Sequence, residues 1–228
     1  MMSAPAPRPD DRPILSIDTS SGQGGVALYD GLILSTRSWP ANRSHTTTLL
    51  TEIHHLLDRA EISVRELAAV AIAIGPGTFT GLRVGFGVAK GFHLASGVPL
   101  IGVPTLEAAA LAFASCGTPV VAVVGAGRGR VVWARYESSP TGLTESHAPR
   151  NGTLGELVAE LKESGPVLVT GEVDEDQAEL IDSIDGVLIP PLALRVRHPG
   201  AIAELAWRRW RARHADDASA IEPVYLSR

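Results

Sequence analysis

The hydrophobic pattern of the first half of the chain predicts strands followed by alternating helices and strands. Apolar runs predict three short strands at residues 14–17, 25–29 and 32–39, with Asp30-Gly31 as a hairpin turn between the last two. Apolar residues at helical spacing then predict a first helix over 44–59. The later segments are predicted as strands at 67–74 and 100–103 and as helices at 79–96 and 106–114. This order is typical of an α/β sheet with parallel pairing.

A second run of strands and helices begins near Pro119. Strands are predicted at 120–124, 131–136, 167–170 and 187–189, and helices at 154–162, 176–184 and 199–214. Both halves therefore place strands first and helices later, which suggests a structural duplication. We predict a first lobe at 14–117 and a second lobe at 118–228, with the final helix free to pack back on the first lobe. Residues 1–13 contain four prolines and no apolar core, so they are interpreted as a disordered leader.

Composition narrows the function classes. The chain has 228 residues, of which 45% are hydrophobic, and a net charge of −5, which argues against autonomous nucleic-acid binding. Cys116 is the only cysteine, so an internal disulfide and a cysteine-rich zinc site are excluded. No apolar run approaches the ~18–20 residues of a membrane span. We therefore expect a cytoplasmic protein that does not enter the membrane.

A glycine-rich loop separates the strand at 67–74 from the helix at 79–96. Its sequence is GPGTFTGLRVG, at residues 75–85. Glycines between a strand and a helix are typical of phosphate loops, but this loop lacks the lysine and the Gly-Lys-Ser/Thr ending of a P-loop. We favour a structural turn that begins a packed helix over a phosphate site.

Four motifs together resemble the bacterial TsaB family, also called YeaZ. They are ILSIDTS at 14–20, the loop at 75–85, PLIGVPTLE at 99–107 and EPVYL at 222–226. The resemblance implies an α/β fold of the actin-like (ASKHA, Hsp70-like) type, with two ribonuclease-H-like lobes that each hold a mixed sheet flanked by helices. It also implies a role in threonylcarbamoylation of the adenosine beside the tRNA anticodon. The implied partners are the catalytic paralogue TsaD and the ATPase TsaE, with tRNA met only indirectly.

Two segments depart from the family pattern. The second half reads Gly125-Ala126-Gly127-Arg128-Gly129, without the acidic residue that the family often has there. The first helix reads His45-Thr46-Thr47, with Thr51 at the position of a usual proline. These departures leave open what those side chains contact.

Asp18, Thr19 and Ser20 are placed like the first phosphate loop of actin-like ATPases. In that loop an aspartate binds the metal ion, while hydroxyl and backbone N–H groups donate hydrogen bonds to the phosphates. A turn that uses Asp18 and Thr19 for local hydrogen bonds explains the same residues. We therefore expect no resident cofactor, and leave open a nucleotide at an interface shared with a partner.

The sequence predicts neither a metal site nor a catalytic residue. In the catalytic paralogue, two histidines four apart on a helix chelate a metal, and the corresponding residues here are Thr105 and Ala109, which are poor ligands. No Gly-x-Ser-x-Gly elbow is present for a hydrolase. We therefore expect a non-catalytic subunit, and keep an autonomous nucleotide-dependent phosphotransferase, and then a peptidase, as alternatives.

The helix at 79–96 carries small residues every four positions, at Gly81, Gly85 and Ala89. Glycine inside a helix costs about 0.5–1 kcal/mol relative to alanine, so close packing must offset it. This packing is either internal to the chain or against a helix of a partner. The family resemblance implies a partner interface in which four helices pack together. The predicted partner interface consists of Gly81, Gly85, Val88, Ala89, Phe92, His45, Leu49 and Ile53. Whether the resting chain is a homodimer or a monomer stays open.

The only basic cluster with aromatics is WRRWRARH at 207–214, near the end of the last predicted helix. Cations are favoured at that end of a helix. Trp207 and Trp210 are three residues apart, which favours packing of both on one face over RNA stacking.

Overall fold

The computed structural model describes residues 12–40, 45–127, 129–139 and 142–226, and only the backbone of residues 45 and 46. The predicted leader lies almost wholly outside the described residues. The strands are β1 (Ile14–Asp18), β2 (Gln23–Tyr29), β3 (Leu34–Pro40), β4 (Ala69–Gly75), β5 (Leu100–Pro104), β6 (Val120–Gly127), β7 (Arg130–Ser139), β8 (Gly142–Thr153), β9 (Val167–Gly171) and β10 (Val187–Leu188). The helices are α1 (His45–Arg59), α2 (Phe79–Ser96), α3 (Thr105–Ala110), α4 (Leu154–Glu163), α5 (Glu175–Asp182), α6 (Leu192–Arg195) and α7 (Pro199–Arg211).

Two mixed five-stranded sheets organise the chain, and their strand orders match. The first sheet has the order β3-β2-β1-β4-β5, with β1, β2 and β3 antiparallel and with β4 and β5 parallel to β1. The second sheet has the order β8-β7-β6-β9-β10 with the same pattern of directions. The predicted α/β class, with two mixed sheets flanked by helices, is confirmed.

The burial pattern explains which strands the sequence predicts well. Strands β1, β4 and β9 lie at or beside the centre of their sheets and are almost entirely buried, so they form continuous apolar runs. Strand β8 is not predicted, because this edge strand is mostly exposed and contains Pro149. Its register with β7 shifts around that proline, which has no N–H to donate to the ladder.

Local capping fixes the helices of the second lobe. Thr153 Oγ1 accepts from the N–H of Glu156 while the Glu156 carboxylate accepts from the N–H of Thr153, which starts α4 with a capping box. Asp174 and Gln177 form the equivalent pair at α5. The helix predicted at 106–114 is shorter than expected, since α3 ends at Ala110 and a 3₁₀ turn follows.

Helix α7 lies on the first sheet although it follows the second lobe in sequence. Ile202, Leu205 and Ala206 are buried against the β1–β4–β5 side of that sheet. Ser16 in β1 donates a hydrogen bond of 3.0 Å to the Pro199 carbonyl at the start of α7. Trp207 stacks edge-on against Tyr29, with ring centroids 5.9 Å apart.

The described helices give no sign of a membrane segment. None of them combines the length and the apolar character that crossing a bilayer demands.

Candidate functional site

The glycine-rich loop packs against the loop that follows β1. The Thr78 N–H donates to the Ser20 carbonyl at 2.7 Å, and Thr19 Oγ1 donates to the Gly81 carbonyl at 2.7 Å. A Cβ atom at Gly77 or Gly81 would overlap the backbone carbonyl of Ser20 or Thr19. Glycine is therefore required here because two backbones of the same chain touch, which supports the structural interpretation of this loop.

Asp18, at the carboxyl end of β1, is held in a buried network with Arg197. Arg197 Nε donates to Asp18 Oδ2 at 2.6 Å, and its Nη2 donates to Ser20 Oγ at 2.6 Å. The Ser20 hydroxyl in turn donates to Asp18 Oδ1 at 2.6 Å. Only 4% of the Arg197 side chain and 6% of the Asp18 side chain are exposed, so water screens this ion pair weakly.

The same arginine reaches the second lobe. Arg197 Nη1 lies 3.4 Å from Glu172 Oε1, and Glu172 Oε2 accepts a 3.0 Å hydrogen bond from the Gly125 N–H. Glu172 follows β9 and Gly125 lies near the end of β6. Arg197 therefore joins the carboxyl ends of the central strands of both lobes.

Charge pairing sets the protonation of this network. Burial alone raises the pKa of Asp18, but the Arg197 guanidinium and the Ser20 hydrogen bonds outweigh it and hold that pKa below its ordinary value of 3.8. Burial also raises the pKa of Glu172, and here it exceeds the opposing effects of Arg197 and the Gly125 N–H. The pKa of Arg197 is raised despite its burial, because two carboxylates face it. The guanidinium is therefore charged at every physiological pH.

This arrangement changes what Asp18, Thr19 and Ser20 are able to bind. Both carboxylate oxygens of Asp18 and the hydroxyls of Thr19 and Ser20 already have partners within the chain. The cleft beside them has a volume of about 220 Å³ and is lined in part by Glu172 and Arg197. Asp18 accepts local hydrogen bonds from Ser20, whereas the Thr19 hydroxyl donates to Gly81, 62 positions away. The sequence analysis missed Arg197, which lies 179 positions from Asp18.

The small-residue stripe at Gly81, Gly85 and Ala89 faces the inside of the first lobe. All three residues are buried. A Cβ atom at Gly85 would lie 2.6 Å from Thr19 Oγ1 and 2.9 Å from Ile72 Cδ1. The prediction that this stripe meets a partner helix is corrected here, since the positions are filled by the chain's own β1 and β4. The alternative of internal packing is the one observed.

The other predicted interface residues are also largely internal. Leu49 and Ile53 of α1 are buried in the core of the first lobe, and Val88 and Phe92 are half-buried against it. The side chain of His45 lies outside the described residues. These four described side chains therefore support the α1–α2 packing, and leave the outward sides of the two helices as the surface on which a partner would bind.

We define the outer face of α2 as Gly87, Gly91 and Leu94. A Cβ atom at Gly87 or Gly91 would meet nothing within 4 Å, and Leu94 is 85% exposed. Leu50 on α1 is also half exposed. Glycine destabilises a helix interior relative to alanine. At Gly87 and Gly91 no close packing within the chain offsets this cost.

The positions compared with a metal-chelating pair have structural roles. Thr105 Oγ1 donates a 2.5 Å hydrogen bond to the Pro76 carbonyl of the glycine-rich loop, and Ala109 is buried. Across the part of the chain that the structure describes, no three His, Cys, Asp or Glu side chains gather in a way that suits a metal ion.

Comparison with known families gives a match over more than half of the chain. The family model described as TsaD, tRNA N6-adenosine threonylcarbamoyltransferase, matches residues 39–169. Among curated relatives, the Escherichia coli tRNA threonylcarbamoyladenosine biosynthesis protein TsaB is 36% identical over 132 residues. That match spans only 57% of either chain. The Bacillus subtilis protein of the same name is 27% identical, and the match covers 93% of both chains.

Solved structures agree on the fold. A Pseudomonas aeruginosa protein described as similar to peptidase YeaZ superposes with a TM-score of 0.79 at 23% identity, covering 94% of this chain and 99% of that one. YeaZ from Pseudomonas aeruginosa gives a TM-score of 0.75 at 24% identity with the same coverage. The chain thus belongs to the tRNA N6-adenosine threonylcarbamoyltransferase family that the matching model describes, and within it to the TsaB (YeaZ) family.

Proposed function

We propose that this chain is a non-catalytic, complex-forming subunit of cytoplasmic tRNA threonylcarbamoyladenosine synthesis. In this proposal the transfer of the threonylcarbamoyl group takes place on the paralogue TsaD, with TsaE as the ATPase. Support for the pathway comes from the curated TsaB relatives, which are named for this biosynthesis. Whether a nucleotide binds at an interface shared with TsaD is left to experiment.

The observation that carries the non-catalytic assignment is the buried Asp18–Arg197 pair. In an actin-like ATPase an aspartate at the end of the first strand must be free to hold a metal–nucleotide. Here the guanidinium takes both carboxylate oxygens and also contacts Ser20 and Glu172. A metal ion at Asp18 would have to displace a buried cation, which is strongly unfavourable.

The outer face of α2 is the surface that we assign to a partner. Gly87 and Gly91 allow another helix backbone to approach closely, and exposed Leu94 and Leu50 supply apolar area beside them. Helix α2 contains Arg83 and Lys90 and no acidic residue. The partner helix is therefore expected to present small or apolar residues with acidic neighbours.

The basic cluster at 207–214 is largely engaged within the chain, which is consistent with an indirect contact with tRNA. Arg209 pairs with Glu107 at 2.6 Å, and Arg208 pairs with Glu204 at 2.7 Å. Trp207 and Trp210 pack on the core of the first lobe. The net charge of −5 also opposes binding to phosphates by the chain alone.

The test of this function is reconstitution of the tRNA modification from purified components. With TsaD, TsaE, tRNA and the threonylcarbamoyl donor held constant, omission of this chain is expected to abolish product formation. Full modification without the chain would refute a required subunit.

The isolated chain is expected not to bind nucleotide in its interlobe cleft. Because Arg197 fills the position beside Asp18, the dissociation constant of a fluorescent ATP analogue with Mg²⁺ should be weaker than about 1 mM. Equilibrium fluorescence titration measures it, with an actin-like ATPase as the positive control. Micromolar binding that depends on Asp18 would instead favour the autonomous phosphotransferase.

A further inference from the structure

A groove in the second lobe adjoins the cleft beside the Asp18–Arg197 network and lies apart from the outer face of α2. It runs between α5 and residues 189–195, with a volume of about 490 Å³. Apolar walls come from Ala178, Ile189, Pro190 and Leu192. The cleft of about 220 Å³ beside Asp18 shares Val173, Leu192 and Arg195 with this groove.

Arg195 lines both of these cavities as a buried cation. It is 6% exposed, and its Nη1 donates to the Val173 carbonyl at 2.8 Å. Its Nε is buried without a hydrogen-bond partner, and Arg195 has no carboxylate within ion-pair distance among the described residues. Arg197, two positions later, has two carboxylates. A buried guanidinium that lacks a counterion is unfavourable unless a ligand supplies the missing acceptor.

The opposite wall of the groove carries the complementary charge. Glu175, Glu179 and Asp182 lie on one face of α5, at the spacing i, i+4 and i+7, and all three line the groove. Each is exposed, and the described part of the chain offers none of them an ion-pair partner. Glu175 is favoured in the first turn of the helix, but like charges four apart repel each other, so Glu179 weakens the helix.

We propose that this groove binds a small zwitterion of the α-amino acid class. The ligand carboxylate would pair with the Arg195 guanidinium, and the ligand ammonium would lie toward the carboxylates of α5. A simple anion would be repelled by the acidic wall, and a simple cation would leave Arg195 unpaired. The apolar residues between the two charged regions suit a short side chain. This site does not depend on the proposed function.

The test is a ligand panel followed by NMR of the amides on α5 and residues 189–196 of the isolated chain. At matched ionic strength, L-valine is expected to bind about ten-fold or more tightly than acetate or ethylammonium, since it alone satisfies both charges. Absence of any valine-induced shift at these amides, or equal binding of acetate, would overturn the proposal.

Two variants locate the contact. Arg195→Leu is expected to lose binding about ten-fold or more, and to melt at the same or a higher temperature than the wild type, because a buried cation without a counterion has been removed. Glu179→Gln, at an exposed position, is expected to weaken valine binding and to strengthen acetate binding, because one carboxylate of the acidic wall is removed. Arg208→Leu, on α7, is the matched control and should bind normally. Unchanged valine binding in both groove variants would show that the proposal is wrong.

Discussion

Gly85→Leu is expected to destabilise the folded chain, whereas Gly87→Leu on the same helix is expected to fold normally and to lose the proposed partner. A side chain at Gly85 meets Thr19 and Ile72 at less than 3 Å, and overpacking typically costs about 1–3 kcal/mol, with larger values where the backbone must move. A side chain at Gly87 meets nothing, and replacing an exposed helical glycine gains about 0.5–1 kcal/mol of helix stability.

Thermal melts and sedimentation of the two variants separate fold from association. Gly87→Leu should melt at or above the wild-type temperature, and its affinity for the proposed partner TsaD should fall by about ten-fold or more. Gly91→Leu makes the same change one helical turn further along α2, and is expected to behave like Gly87→Leu. If Gly87→Leu and Gly91→Leu both associate normally, the partner surface is not the outer face of α2.

Arg197→Met is expected to destabilise the chain by about 3–5 kcal/mol, the usual cost of removing one partner from a buried ion pair. The change leaves Asp18 in a buried site, with Glu172 nearby and no cation. Because whole domains are stable by only about 5–15 kcal/mol, chemical denaturation should detect this loss readily. A second change, Asp18→Leu in the same chain, removes the stranded charge and is expected to recover part of the stability.

The pH dependence of this variant follows from the Asp18 pKa. In the wild type that pKa is lowered, so its stabilisation is present above the ordinary value of 3.8 and is lost as the pH falls through the lowered value. Without Arg197, burial is the dominant influence and raises the pKa of Asp18, so protonation favours the folded state. The stability gap between the two proteins should therefore narrow from about pH 7 to about pH 4. A gap that is constant over this range would show that Arg197 acts through packing alone.

Local patterns identify most of the fold. Helix α2 begins at Phe79 and ends at Ser96, as predicted, because its apolar spacing is strong and Gly97 adopts the left-handed conformation that ends a helix. Strand β8 escapes prediction because its residues face solvent and its pairing with β7 is decided by the sheet. An exposed edge strand with mostly polar side chains lacks the alternation of apolar and polar residues by which a strand is predicted.

The direction of a helix face is harder to infer than the helix itself. Helix α2 has one small-residue stripe with Gly85 and another with Gly87, and spacing alone does not say which is inward. The buried large residues Leu82 and Phe86 adjoin the first stripe, while exposed Leu94 adjoins the second.

Arg197 illustrates a site residue that local sequence signals do not identify. It lies in a short link between α6 and α7, and its partner Asp18 is in the first strand of the other lobe. The one available signal is that a carboxylate at the end of a buried strand needs a counterion. Which of 20 lysines and arginines supplies it depends on how α7 returns to the first sheet.

The most direct test of a complex-forming role is a titration of this chain into a fixed amount of TsaD in the reconstituted reaction. A subunit acts only while bound, so the initial rate of tRNA modification is expected to rise until the chain and TsaD are at comparable concentrations and then to level off. In the same titration the Gly87→Leu chain should need a far higher concentration to reach that rate. Full rate at trace amounts of the chain would mean that it turns over as an enzyme, and would contradict the account.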